Sequence, residues 1–518
     1  MSYEIKLLVF AAVVALCSAM GARLAFRDLL PQAQYRAAWK VVGLTIVVSF
    51  MSQLTSIFFV GVAVTSLVAA RMFGGDIKAR VAAFLLLILL FPPVSQSLGG
   101  VADMNHLFIL DHVHTLSLVL LGPATIQLLL RKRVERGNPF RAVDAFLIAY
   151  QVLQLALMFR NISGTAVLRF LFESATTILL PYYVMTRGLR SLSDVKFVGS
   201  FMMIGFIFLA GVGVAEEVTR HSIYSPLAYI YDVKWQLTQS LMRGGMLRVQ
   251  ATTPEPIVLA VLMIAALGLW TWLSGPAWRR PRNLAVYVVL LAALAFTWSR
   301  GPWLGAAVFV ISLIALKVCS SRIYVAGLIG VACTVVVAKV TGTDQVFYDF
   351  LKSIFGSSES DFGTIEYRRQ IMDASLALMQ QSPLFGVPNY SAYLQDFKQG
   401  EGIIDLVNTY MIIGLNSGVI GLTLFLMPHL IVYFKLINRL LSPVDNASHD
   451  IFVCSFASVV LALCFTLVTT STTGVISYIL LTWIALPLVY MQYRNEAAQE
   501  PVRERVGDPV PAFNHYGR

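Results

Sequence analysis

Apolar runs long enough to span a bilayer recur along most of the chain, separated by short polar stretches. Spans are predicted over roughly 5–22, 80–93, 112–130, 141–159, 165–186, 197–215, 255–275, 284–298, 302–318, 323–340, 417–437, 451–469 and 475–492. The stretch 41–70 has basic residues on both flanks, so an even number of crossings is predicted there. Two short helices, or a re-entrant pair, broken near Ser52-Gln53 satisfy that condition. The run 5–22 has no basic segment ahead of it and further spans follow, so it reads as a retained helix and not as a signal peptide. The expected fold is an all-α polytopic membrane protein of about 12–15 transmembrane helices, with a long extracytoplasmic loop containing amphipathic helices. A membrane β-barrel would show short alternating segments instead.

Two polar breaks are long. One is 216–254; the other, 341–416, holds Asp344, Asp349, Glu359, Asp361, Glu366, Asp373, Asp396, Glu401 and Asp405. Within the second, 365–381 reads as a helix with Tyr367, Ile371, Ala374 and Leu378 on one face. Thr364 is its predicted N-cap, and Pro383 and Gly386 follow its end. It is expected on the outer membrane surface, or as a lid packing its apolar face onto the bundle. Residues 1–493 are expected to form a single bundle, and the proline-bearing polar segment 494–518 a disordered cytoplasmic tail.

Composition agrees with the pattern. The 518 residues are 57% hydrophobic and 13% charged, against about 25% charged in soluble domains. The net charge of +11 arises from basic clusters between apolar runs, among them Arg23/Arg27/Arg36/Lys40, Arg131/Lys132/Arg133/Arg136 and Arg279/Arg280/Arg282. Such clusters mark cytoplasmic loops, so no nucleic-acid partner is inferred; the partner is the lipid bilayer. Loops 94–111, 160–164, 216–254, 341–416 and 470–474 then fall on the opposite side. The five cysteines lie in or beside apolar runs without a CxxC pair, which suggests neither a disulfide framework nor a zinc site. His106, His112 and His114 cluster, but no further ligands can be assigned to them, so neither metal nor cofactor is expected.

Four places can carry chemistry. Arg300, in Thr297-Trp298-Ser299-Arg300-Gly301-Pro302-Trp303, stands between two apolar runs. An arginine at membrane depth faces a cavity or a partner, although it can also snorkel beside interfacial tryptophans. Arg243 and Arg248 flank Gly244-Gly245, and guanidinium groups there can bind phosphate oxygens; the plain alternative is a polar loop. Arg368 and Arg369 open the 365–381 helix, with Glu366 as an ion-pair partner. Asp405, Asn408 and Tyr410 precede a glycine-rich span as substrate groups or as a helix start. Glu216-Glu217 and Glu255 stand at span ends.

In combination these segments resemble the O-antigen ligase and polymerase superfamily of bacterial envelope glycosyltransferases. Ser299-Arg300-Gly301-Pro302-Trp303-Leu304 is similar to its Ser-Arg-Gly-x-Trp-Leu signature. Arg368 followed by Pro383-Leu384-Phe385-Gly386-Val387 resembles its Arg-x3-Trp…Pro-Leu-x-Gly-Val-Gly segment. Asn408-Thr409-Tyr410 with Gly418-Val419-Ile420-Gly421-Leu422 resembles its His-Asn-x-Tyr-Leu…Gly-x-x-Gly-Leu segment, and Arg248 its second essential arginine. Coverage is about 243–437. Met372, Pro388 and Val407 replace the family's tryptophan, last glycine and histidine.

The resemblance implies a glycosyltransferase of the inner (cytoplasmic) membrane with its site facing the periplasm. Its donor would be a glycan on undecaprenyl diphosphate, and its acceptor another glycan or a lipid-linked group. Arg300, Arg248 and Arg368 would neutralise the diphosphate, replacing the divalent metal of many soluble glycosyltransferases. Asp405 or Glu255 would act as base, and Arg243, Arg369, Asn408, Tyr410 and Ser299 would bind substrate. The family histidine helps to activate the acceptor in ligases, so Val407 points to polymerisation of O-antigen or exopolysaccharide units, in concert with a chain-length regulator. Transfer of a finished glycan to a lipid or protein is the alternative. A transporter or flippase is a third reading; it would show matching halves and mid-membrane charges, neither of which is evident here.

Overall fold

The computed structural model describes residues 3–99, 106–131, 140–160, 164–225, 227, 231, 241–243, 245–316, 359–398, 404, 406–441, 451–472 and 475–499. The predicted span 323–340, most of the segment ahead of Glu359, Asp405 and the tail beyond Gln499 lie outside the described residues.

Among the described residues there are 15 helices and almost no sheet. They are α1 (Tyr3–Phe26), α2 (Gln32–Met51), α3 (Phe58–Phe73), α4 (Ile77–Leu90), α5 (His112–Leu130), α6 (Arg141–Met158) and α7 (164–188). There follow α8 (Leu192–Thr219), α9 (Pro256–Ser274), α10 (Pro281–Phe296), α11 (Arg300–Ala315), α12 (Glu359–Gln381), α13 (Thr409–Leu441), α14 (Ile451–Thr466) and α15 (Ile476–Gln499). Five helices are long and apolar enough to cross a membrane: α5, α6, α8, α13 and the α9 segment Pro256–Arg279. Shorter apolar helices, α3, α10, α11 and α14 among them, accompany these.

The centre of the bundle is α4, α8 and α9. Most residues of each are buried, as expected of helices that are apolar all round. Close approach is made at glycines: Gly205 meets Leu89, and Gly268 meets Val459. Small polar residues join neighbouring helices, with Ser458 Oγ 2.9 Å from Ser312 Oγ.

The 41–70 stretch is broken where expected, α2 ending at Met51 and α3 starting at Phe58. Arg36 and Lys40, expected in a connecting loop, lie instead in the first turns of α2. The helix predicted at 365–381 starts earlier, at Glu359, so Thr364 is inside it and is not its cap. The last helix runs to Gln499, past Arg494. The 94–111 connection contains an antiparallel pair, β1 (Ser95–Gly99) and β2 (His106–Asp111), in which Ser95 pairs with Asp111 and Gln96 with Leu110. Asp111 then caps α5: its carboxylate accepts from His114 N at 2.7 Å, while His114 Nδ1 accepts from Asp111 N at 3.2 Å.

Several ion pairs lie at one end of the bundle. Asp28 pairs with Arg282, Lys78 lies 3.5 Å from Asp194, and Asp144 pairs with Arg187. Residues 216–223, 245–251, 297–301, 383–387 and 467–470 come together with the start of α13 at the other end, through the contacts described next.

Candidate active site

A buried carboxylate folds the loop after α8. Glu216 is fully buried and accepts from Ile223 N at one oxygen (3.0 Å) and from Gln250 N (3.0 Å) and Ala251 N (2.8 Å) at the other. Charge-assisted bonds to backbone N–H groups offset much of the cost of burying the charge. They also hold Ala251 in the left-handed region, at φ 51°, where a residue with a Cβ is uncommon. Just upstream, β3 (Met242–Arg243) pairs with β4 (Met246–Leu247) around a turn in which Gly245 takes φ 75°.

This arrangement lays two arginines on the turn between α10 and α11. Val249 N donates to Phe296 O at 3.2 Å. Arg248 Nε donates to Thr297 O at 3.2 Å, and a terminal nitrogen donates to Ser299 Oγ at 3.1 Å. Arg243 donates to Trp298 O at 2.7 Å. Trp298 itself has φ 51°, so the backbone is held in a costly conformation with its carbonyl presented to a guanidinium. Arg300 is the next residue but one and the first of α11. The positive end of a helix dipole therefore lies beside the arginines.

The start of α11 shares a neighbour with the start of α13. Gly301 and Gly305 press against Thr469 and Thr466. Thr409 N donates to both Leu467 O and Thr470 O at 3.0 Å, and Thr409 Oγ1 to Thr470 O at 2.7 Å. A side chain larger than glycine at 301 would displace this segment, which accounts for the glycine after Arg300.

Helix α12 rests on the start of α13. Its Ile371 and Leu378 pack with Val387, Leu394, Leu406, Met411 and Leu415 in a second, smaller apolar core. The predicted apolar face is therefore present and is covered by protein. Glu366, expected to pair with Arg368, accepts instead from Gln370 at 3.0 Å. The chain from Pro383 to Val387 lies against α13 where that helix is broken at Gly418 (φ 65°, ψ −165°). Val419 N donates to Pro383 O (2.8 Å) and Val387 N to Leu415 O (2.7 Å). Arg160, at the end of α6, donates to the carbonyls of Phe385 (3.0 Å) and Gly386 (3.2 Å).

The charges of Arg243, Glu255 and Arg368 act on Arg248. The Arg248 pKa is depressed to about 10, by burial first and then by the Arg243 charge, with Glu255 opposing the fall and Arg368 adding to it. Arg248 remains cationic at neutral pH, but its charge is destabilised in the folded protein. With the folded pKa below the unfolded one, that destabilisation is present at neutral pH and is relieved as pH rises above about 10. An anion bound there relieves it at neutral pH.

Other expected site residues have mainly structural partners. Asn408 Oδ1 accepts from Met411 N at 3.1 Å, as a helix cap. Tyr410 Oη donates to Cys464 O at 2.6 Å. Arg369 is exposed on α12. Ser299 is buried and receives Arg248. Glu255 precedes Pro256 in extended backbone, and its carboxylate does not cap α9. Sequence reasoning gave Glu216 little weight; its one signal was an acidic pair closing an apolar run. Glu216→Gln keeps the shape but turns an N–H group toward a backbone N–H. We expect a loss of about 1–3 kcal/mol in stability, and a loss of activity, read from detergent melting curves and from glycan transfer by the same preparation.

The fold and the site define a polytopic helical membrane protein with a set of arginines at one end of its bundle. Residues 285–426 match the family described as O-antigen ligase, as expected for the O-antigen ligase/polymerase superfamily, whose members are glycosyltransferase-like enzymes. The matched stretch contains Arg300, Arg368 and the Gly386–Gly418 junction. Arg243 and Arg248 lie outside it, and their bonds to residues 297–299 bring them to it. No curated protein matches the sequence.

Proposed function

We propose that this protein is a glycosyltransferase that polymerises undecaprenyl-diphosphate-linked oligosaccharide repeat units into O-antigen or exopolysaccharide at the periplasmic face of the inner membrane. The observation that carries this reading is the bonding of Arg243 and Arg248 to residues 297–299, immediately ahead of Arg300, with the Arg368 charge also acting on Arg248. Like charges so placed are costly in a folded protein unless a polyanion occupies the site. A lipid-linked diphosphate supplies one.

In the reaction, an acceptor sugar hydroxyl attacks the anomeric carbon of the donor. The new C–O bond forms as the bond from that carbon to the diphosphate oxygen breaks, and the configuration inverts. The departing diphosphate gains negative charge, which Arg248, Arg243, Arg368 and the α11 terminus at Arg300 stabilise. The hydroxyl proton passes to a carboxylate. Glu255, whose charge reaches Arg248, is the base assigned here; Asp405, the other carboxylate considered, lies outside the described residues. Val407 cannot take a proton, which favours polymerisation over transfer to a lipid A-core acceptor.

The alternative, a ligase, is favoured by the matched family's description. Purified protein supplied only with undecaprenyl-diphosphate repeat units is expected to make a ladder of lengthening products. Product formation only after a core glycolipid is added would replace the polymerase reading with the ligase reading.

A further inference from the structure

A second charged site lies at the opposite end of the molecule from the arginine cluster. Ala19, Met20 and Arg23 of α1 and Gln32, Tyr35, Arg36, Trp39 and Lys40 of α2 line an open cleft of about 450 Å³. α2 is about 30 Å long. Its far end packs Phe50 against Tyr224 in the loop that carries Arg248, so the cleft, at its near end, is on the side of the Asp28–Arg282 pair.

The cleft has the chemistry of an anionic head-group site. Three of its lining residues are cations, and no carboxylate lines it. Among the described residues, none of the ion pairs involves Arg23, Arg36 or Lys40. Gln32, with its amide oxygen turned toward the guanidinium groups, accepts from Arg36 at 2.9 Å and Arg23 at 3.1 Å, which fixes two cations side by side. Tyr35 Oη is anchored on Ala19 O at 2.6 Å, and its ring meets Trp39 edge-on. Aromatic residues of this kind sit at head-group depth. Above the cleft, Val13, Leu16, Met20 and Leu24 form an exposed apolar stripe on α1, with Val47 and Met51 exposed on α2. A ligand with a phosphate head and acyl chains matches both parts. A free anion would use only the first.

We propose that the cleft between α1 and α2 binds one anionic glycerophospholipid, its phosphate held by Arg23, Arg36 and Lys40 and its acyl chains lying along the α1 stripe. The site differs from a generally basic surface in being concave and in having its cations oriented by Gln32.

The test uses the full chain in detergent with native mass spectrometry. Phosphatidylglycerol is titrated against phosphatidylcholine, with inorganic phosphate as the free-anion competitor. One phosphatidylglycerol is expected to be retained in preference to phosphatidylcholine. The triple variant Arg23→Gln/Arg36→Gln/Lys40→Gln is expected to lower that retention at least about tenfold. The control Arg71→Gln/Arg190→Gln/Lys196→Gln, which removes the same charge from elsewhere, is expected to keep it. Lys40→Glu alone, a milder change to the fold, is expected to weaken retention in the same direction. Equal losses in both triple variants, or none in either, would overturn the site. Displacement of the lipid by millimolar phosphate would overturn the lipid assignment in favour of a free-anion site.

Discussion

Arg248→Ala is expected to lower glycan transfer by about 10²–10³-fold or more while the protein still inserts and folds. That is the usual cost of removing one preorganised donor to a developing negative charge. Arg248 is singled out because its guanidinium is both partly buried and fixed. Two of its nitrogens are committed to Thr297 O and Ser299 Oγ, and its pKa is depressed to about 10 by burial and by the Arg243 and Arg368 charges. A donor held in place in this way needs no reorganisation as the diphosphate departs. Arg300→Ala is expected to give a comparable loss. Full-length polymer from either variant, in cells lacking the native protein, would sink the assignment of the cluster.

The conservative variant tests the electrostatics separately. A lysine starts from a pKa of about 10.4. The same burial and neighbours would push Arg248→Lys well below that value. Its activity is therefore expected to fall as pH rises from 7 to 9, whereas the parent protein stays cationic at this position over the same range. A flat ratio of variant to parent activity across these pH values would count against a buried, like-charged setting.

The second large effect is expected from Gly386→Ala. Gly386 has φ 71°, and a methyl group there would stand 2.6 Å from the Asn416 carbonyl carbon and the Ser417 nitrogen, with the Leu415 carbonyl oxygen closer still. Those are backbone atoms and cannot rotate aside. The mirror position is as tight: a Cβ at Gly418, φ 65°, would meet Phe385 N at 2.5 Å. The two glycines let the Pro383–Val387 chain lie directly on the break in α13, where Val387 N and Val419 N find their acceptors. Substitution is expected to unseat α12 and, with it, Arg368. The expected readout is lower accumulation together with new protease cleavage between α12 and α13. Wild-type resistance to limited proteolysis in Gly386→Ala would show that the junction is not what holds α12 in place.

The comparison between sequence and structure is most informative at these same residues. Gly386 and Gly418 are visible as motif glycines, yet nothing in their spacing shows that each lies against the backbone just before the other. Contact between residues so far apart in the chain depends on how α12 and α13 pack. The amphipathic face of α12 was legible from its period, because a helix repeats every 3.6 residues whatever lies beside it. What covers that face was not legible, since membrane, bundle and neighbouring loop all accept the same apolar stripe. Asn408 and Tyr410 show the converse. As isolated polar residues in a motif they read as substrate groups or, for Asn408, as a helix start; the folded chain engages Asn408 as a helix cap and Tyr410 as a donor to Cys464 O.

By itself, the sequence determined that the chain is a helical membrane protein, where α2 and α3 separate, and which arginines are candidates for chemistry. These are local properties: hydropathy over a span, charge at its ends, and residue type. The tertiary structure alone decided that Arg243 and Arg248 reach the turn before Arg300, and that a buried Glu216 holds their loop. It also decided that Arg368 comes near from a separate helix. Burial and Coulomb interaction depend on distance in space, and distances between residues far apart along the chain are set only when the helices pack.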